Sequence, residues 1–217
     1  MTEAEQIRPA VRTRDTAIRR ERTRRRLLDA AFTLLGHERG LAVRIEEICA
    51  EAGISRGTFY NHFPGLEGLF DALSFDLSHD FNSAVLATMA RMEDMAARTN
   101  AAMRYYLERA RSNPHWGWAM VNISATGPLF GAETFASALA TVEEGIARGE
   151  FAVEDARVGR DMILGTALAA MITQLREGAP ADQPKIVARH ILRALGVPRD
   201  RVEEVIARPL PPPTLTE

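Results

Sequence analysis

The stretch SRGTFYNH, residues 55–62, places Arg56, Thr58, Tyr60, Asn61 and His62 within about two turns of helix, directly after a glycine turn. The chemistry these side chains offer is hydrogen bonding at several reaches. A guanidinium such as that of Arg56 is a planar fork that matches guanine O6 and N7. The hydroxyls of Thr58 and Tyr60 suit phosphate oxygens, contacts that set register rather than sequence. Gly57 lets another backbone come close. Together these groups can read a surface of acceptors and donors; they do not form a reaction centre.

Positioning such a segment requires support, because a helix this short is unstable alone in water. Upstream, Leu27, Leu28, Ala31, Leu34 and Leu35 repeat at helical spacing, and Gly36 and Gly40 bracket the end of that helix. A short helix follows with Ile45, Ile48, Cys49 and Ala52 inward. Gly53 is placed to end it in the left-handed conformation, which carries no Cβ penalty at glycine. Ser55 is a good N-cap for the next helix, and Pro64–Gly65 stops it. Leu28, Phe32, Ile48, Ile54, Phe59 and Phe63 supply the core. Phe59 and Phe63 point inward, so the polar residues between them are left outside. Two short helices joined by a tight turn, the second with an exposed polar face, describe a helix-turn-helix, whose second helix enters the major groove.

The chain has 217 residues, 46% hydrophobic and 26% charged, the balance of a globular protein with a substantial core. It contains no apolar run of transmembrane length and no secretory signal. The single cysteine, Cys49, forms no internal disulfide, which fits a reducing cytoplasm. A soluble cytoplasmic protein is expected. Net charge is −2, but residues 1–26 hold nine arginines against four acids, a local +5, leaving −7 on the other 191 residues. A basic end on an acidic body fits one end meeting a polyanion. On charge alone, a solvated arm without a partner remains equally open.

Beyond Pro64 the apolar spacing is helical throughout. Leu66, Leu69, Phe70, Leu73 and Leu77 begin a stripe that continues through Phe81, Val85 and Met89. Breaks are expected near Asn113–Pro114 and at residues 126–131. Long helices are expected over about 132–148 and 154–177, then a last one stopping at Gly196. The tail from Arg208, rich in proline, is expected to be extended and mobile. The fold class is all-α: an N-terminal three-helix helix-turn-helix domain and a larger helical domain. The expected division is a basic arm at 1–20, the helix-turn-helix at 21–66, a helical effector-binding and dimerisation domain at 67–207 and a flexible tail at 208–217.

Residues 22–75 resemble the TetR family of bacterial transcriptional regulators, through RRRLLDAAFTLLGHERG, RIEEICAEAGISRGTFYNHFPGLEGLF and above all AGISRGTFYNHF with the trailing LF pair. The resemblance implies a homodimeric repressor of a two-fold symmetric operator in double-stranded DNA, with a divergent C-terminal domain for a small effector. It assigns Ser55 the N-cap of the recognition helix and sets Arg56, Thr58 and Asn61 near bases or phosphates. Gly57 lies among them, and Tyr60 and His62 match backbone-contacting positions. For His62 a partly buried structural histidine stays open, and for Asn61 a solvated one. Two departures stand out. Val43 and Arg44 occupy the place where relatives carry a capping Thr or Ser, so Arg44 is expected to provide the phosphate contact by charge. Leu66 stands where relatives carry a lysine after the proline.

In the larger domain the resemblance is one of architecture. It implies a dimer built from the last two long helices, with Met162, Leu164, Gly165, Leu168 and Met171 from one and Ile191 and Leu192 from the other as interface candidates; interior core of a monomer is the alternative. A pocket for a hydrophobic or aromatic effector is expected among Met103, Tyr106, Trp116, Trp118, Met120, Phe130 and Phe135, with His115 and Asn122 as polar anchors, although such residues also serve as plain core. No enzyme is expected. Cys49 has no obvious base partner, the five histidines lack paired metal-ligand spacing, although His79–Asp80 could join a site folded from afar, and neither a phosphate-binding glycine loop nor a GxSxG elbow occurs. No cofactor or metal is implied. The remaining alternative is a helical ligand- or partner-binding protein with only non-specific DNA affinity.

Overall fold

A computed structural model describes residues 3–213, with side chains from Thr16 onward. Among these, all regular structure is helical. Helix α1 spans Glu3–Leu35, α2 Ile45–Ala52, α3 Arg56–Tyr60 and α4 Leu66–Met89, and a single 3-10 turn at Gly40–Ala42 precedes α2. The body adds α5 (Met95–Ser112), α6 (Pro114–Ser124), α7 (Ala132–Ala147), α8 (Ala156–Glu177), α9 (Gln183–Ala194) and α10 (Arg199–Ala207). Much of the expected basic arm therefore continues the same helix as Leu27–Leu35, while the side chains of Arg8, Arg12 and Arg14 lie outside the described residues.

The apolar stripes predict the cores well. Leu27, Leu28, Ala31 and Leu35 of α1 close over Ile48 and Phe59 in a small core, to which α4 gives Leu69, Phe70 and Leu73. The same small core receives Ala119 and Ile123 from α6. A larger core surrounds α5, which packs against α4 and every helix from α6 to α10. Helix α4 belongs to both: its first half floors the helix-turn-helix, and Phe81, Val85 and Met89 of its second half enter the body.

Caps explain most boundaries. The Asp94 carboxylate accepts from Ala97 N–H at 2.6 Å and starts α5. Asn113 caps α6 through Trp116 N–H at 3.0 Å, with Pro114 at the tolerated first position. Three features differ from expectation. A break at 90–94 separates α4 from α5. The chain does not end its helices at Gly196: α10 follows, burying Val202, Val205 and Ile206, a stripe too short to stand out from the surrounding charges. The tail, expected to be mobile, is held at its start. Leu210 packs on the large core, and the Tyr105 hydroxyl donates to Pro211 O at 2.5 Å. Residues 214–217 of that tail lie outside the described residues.

Candidate nucleic-acid interface and effector cavity

The recognition segment is built from the turn outward. Gly53 has φ +61°, ψ +43°, and ends α2. Arg26 of α1 donates to Ala52 O at 2.5 Å there, satisfying a carbonyl that the helix end leaves free. Ser55 Oγ accepts from Thr58 N–H at 3.2 Å and lies 2.9 Å from Thr58 Oγ1, so this serine is occupied as a cap. Phe59 and Phe63 are buried beneath. At the start of α2, Glu47 reaches back to accept from Arg44 N–H at 2.7 Å, and the Arg44 side chain, a donor only, is exposed.

The outer face of α3 presents Arg56 and Tyr60, 60% and 49% exposed, beside exposed Asn61. A Cβ at Gly57 would meet nothing nearer than Ser55 Oγ at 4.0 Å, so that side of the helix is bare. Arg56 is not idle. It pairs with Glu46 of α2 at 2.9 Å, and a hydrogen bond to Tyr60, followed by the Glu46 charge, raises its pKa above the usual arginine range. His62 is half-buried; burial, then Arg20 and Arg24 of α1, lower its pKa. His62 is thus partly buried, and it faces the basic residues of α1. Cys49, with its thiol pKa raised by burial, is a core residue.

The sequence did not reveal that part of the basic stretch is structural. Arg24 lies over the Phe63 ring at 5.6 Å, Arg25 pairs with Asp29 at 3.0 Å and Asp76 at 3.1 Å, and Arg26 caps α2. The signal available was their position on the flank of the Leu27–Leu35 stripe.

A cavity of about 60 Å³ opens between α4, α5, α7 and α8. Of the expected effector residues it brings together Met103, Tyr106 and Phe130. The rest lie elsewhere. Trp116 is packed behind Tyr106, with its indole N–H donating to Leu77 O at 3.0 Å, and Met120 is fully buried in the same core. Phe135 lies under the Arg160 guanidinium at 3.8 Å, and Trp118 faces Arg176. His115 lies edge-on to Phe32 of α1, with ring centroids 4.5 Å apart. Asn122 is 4% exposed and donates to Leu35 O at 2.8 Å and His37 O at 2.9 Å. Both anchors therefore face α1: α6 turns His115 and Asn122 to the DNA-binding core and Trp116 to the body. Asn82, Thr99 and Thr134, which line the cavity, were missed because isolated polar residues in helices carry no periodic signal.

The link between cavity and helix-turn-helix is short. Phe130 has φ +60°, a conformation costly for a residue with a Cβ. Its N–H donates to Ser124 Oγ at 3.0 Å, at the end of the helix that carries Asn122 and Ile123.

Comparison with known proteins decides the family. The model for bacterial regulatory proteins of the tetR family matches residues 27–73, and that for the tetracyclin repressor-like C-terminal domain matches residues 94–208, more than half of the chain. The chain belongs to the TetR family. It is therefore a DNA-binding transcriptional regulator. The crystal structure of RolR with resorcinol is 29% identical with a TM-score of 0.73, covering 91% of this chain and 100% of that one. An uncharacterized HTH-type transcriptional regulator of Haemophilus influenzae is 41% identical over 54 residues, 24% of this chain and 26% of its own length. The nucleoid occlusion factor SlmA of Pasteurella multocida is 28% identical over 92 residues, 42% of this chain and 46% of its own. The chain thus spans about a quarter of one curated relative and under half of the other.

For a TetR-family member the surface of α8 and α9 is of interest, and here several dimer candidates require correction. Leu164 lines the cavity, and Met171, Ile191 and Leu192 are buried within the chain, leaving no surface for a partner. Met162, Gly165 and Leu168 remain partly exposed, alongside exposed Val158 and Ile186. A Cβ on Gly165 would meet nothing within 4 Å. Among the described residues, no helix is long and apolar enough to cross a membrane.

Proposed function

We propose that the protein is a ligand-responsive homodimeric repressor that reads a two-fold symmetric operator through α3. Arg56 and Tyr60 are the principal readers, with Arg56 leaving Glu46 for a guanine edge and Tyr60 for a phosphate. Ser55 acts by capping, Gly57 allows close approach, and Arg44, Thr58, Asn61 and His62 flank the contact. The dimer forms through Met162, Gly165 and Leu168 with Val158 and Ile186, placing two recognition helices about 34–36 Å apart or a multiple of it.

The observation that carries the ligand response is the sharing of helices. α4 and α6 each contribute side chains to the DNA-binding core, α4 also walls the cavity, and Ser124 of α6 holds Phe130, a cavity residue. A ligand that reshapes the cavity acts on both helices, and it shifts the DNA-binding state by its differential affinity for the two arrangements. The RolR complex supports a small aromatic effector.

The test is selection from a random duplex pool with wild type and an Arg56→Ala/Tyr60→Ala variant at fixed salt. A symmetric site enriched by wild type and lost in the variant is expected. Enrichment by neither protein refutes operator reading through α3.

A further inference from the structure

The chemistry of the cavity is narrower than its shape. None of its lining residues is acidic or basic. Val85, Met89, Met103, Phe130, Ile163 and Leu164 make it largely apolar. Three of its hydrogen-bonding groups form a cluster at Tyr106, whose hydroxyl lies 2.8 Å from Thr134 Oγ1 and 3.4 Å from Asn82 Oδ1; Ser137 and Thr141 also line the cavity, and the Thr141 hydroxyl is spent on Ser137 O at 2.9 Å. Burial pushes the Tyr106 pKa up to about 12, partly offset by the Thr134 hydrogen bond, so the group is a neutral hydroxyl wherever the protein works. The charges that act on it, Arg109 and Glu133, lie outside the lining and act in opposite senses. Arg109 is held between the rings of Phe81 and Trp116, at 4.5 and 4.9 Å. Thr99 adds a buried Oγ1 with no hydrogen-bond partner, a state rare in folded proteins.

Three consequences follow for an occupant. About 60 Å³ is well under the roughly 150 Å³ of an apolar cavity that takes a benzene ring, so even a single ring must widen the space as it enters, and a fused system is shut out. A carboxylate would surrender its hydration without meeting a cation, and burying an unpaired charge is heavily penalised. A ring hydroxyl surrenders less, and it regains both a donor and an acceptor from the cluster.

Taking the cavity as the effector site, as read above, we propose that it selects uncharged single-ring compounds through a ring hydroxyl bound at Tyr106, Thr134 and Asn82. Ring carboxylates of the same size are excluded. Selectivity resides in the polar cluster, and the apolar wall supplies only affinity.

Isothermal titration of the full chain with phenol, toluene and 3-hydroxybenzoate tests this. Phenol is expected to bind at least about tenfold tighter than either of the others, because a site built around hydrogen bonds leaves its groups unpaired with the wrong ligand. Tyr106→Phe should bring the phenol-to-toluene ratio close to unity while toluene still binds, a change that mere loss of packing would not produce. Thr134→Val, of similar volume, makes the same measurement should Tyr106→Phe fail to fold. Binding of 3-hydroxybenzoate as tightly as phenol, or a ratio unmoved by both variants, overturns the proposal while leaving the cavity as the effector site. If wild type binds none of the three, the cavity reading fails and the proposal with it.

Discussion

Replacing Asn122 by alanine isolates the junction between α6 and the DNA-binding core. The side chain is 4% exposed and donates twice, to Leu35 O at 2.8 Å and His37 O at 2.9 Å. The two acceptors differ in what they lose. The Leu35 bond is buried, so its carbonyl would be stranded at about 1–3 kcal/mol. The His37 bond is only part-buried and its carbonyl also accepts from Gly40 N–H at 2.9 Å, so only the net worth of the bond, about 1 kcal/mol, is lost there. The expected loss is therefore about 2–4 kcal/mol, or roughly 5–15 °C in Tm for a chain of this size. Thermal unfolding followed by circular dichroism, at one protein concentration, measures it. Gly40→Ala probes the same junction by a different route, since its Cβ would stand 2.7 Å from both Asn122 Nδ2 and Leu35 backbone atoms. The two changes share one contact, so the double variant should fall short of the sum. A Tm loss below about 2 °C for Asn122→Ala, or strict additivity with Gly40→Ala, would refute the view that this asparagine seats the DNA-binding core on the body.

Deleting residues 1–18 should flatten the slope of log K against log salt for operator binding, because each phosphate that an arginine no longer neutralises takes roughly 0.9 from its magnitude; an unchanged slope excludes the arm from the interface. Gly165→Arg puts a charge into open space on α8, so the isolated fold should survive while sedimentation shows dissociation to monomers and operator affinity drops. A dimer of unaltered affinity would remove this face from the assembly.

The helix-turn-helix was legible because its signals are local. Gly53, Ser55, Phe59 and Phe63 each announce a conformation or a side within a few residues, and the turn, cap and core formed where they indicated. The body was legible as helices but not as faces. The stretch MILGTALAAMI in α8 is apolar nearly all round, and it gives Leu164 to the cavity, Met171 to the core and Met162 to the surface. Periodicity cannot rank apolar faces when there is more than one. The polar anchors failed for a related reason. A buried asparagine on an apolar helix must find partners, but its own sequence does not say on which side. Asn122 found them on α1, and the cavity's polar cluster came instead from Asn82, Tyr106 and Thr134 on three different helices.

That arrangement bears on how an effector in the cavity, as proposed above, would act. Phe130 is 1% exposed, touches Tyr106 at a ring separation of 5.4 Å, and adopts a backbone conformation that disfavours any side chain with a Cβ. It persists because burial of the ring and the bond from its N–H to Ser124 Oγ outweigh the strain. An occupant of the cavity competes with the first of these and leaves the second intact. The least costly response is then movement of the 124–131 segment as a unit, carrying the end of α6 with it. Asn122 and Ile123 lie next to that end, against α1 and the small core, so on this proposal a displacement at the cavity would have only two residues of backbone to cross before the DNA-binding core.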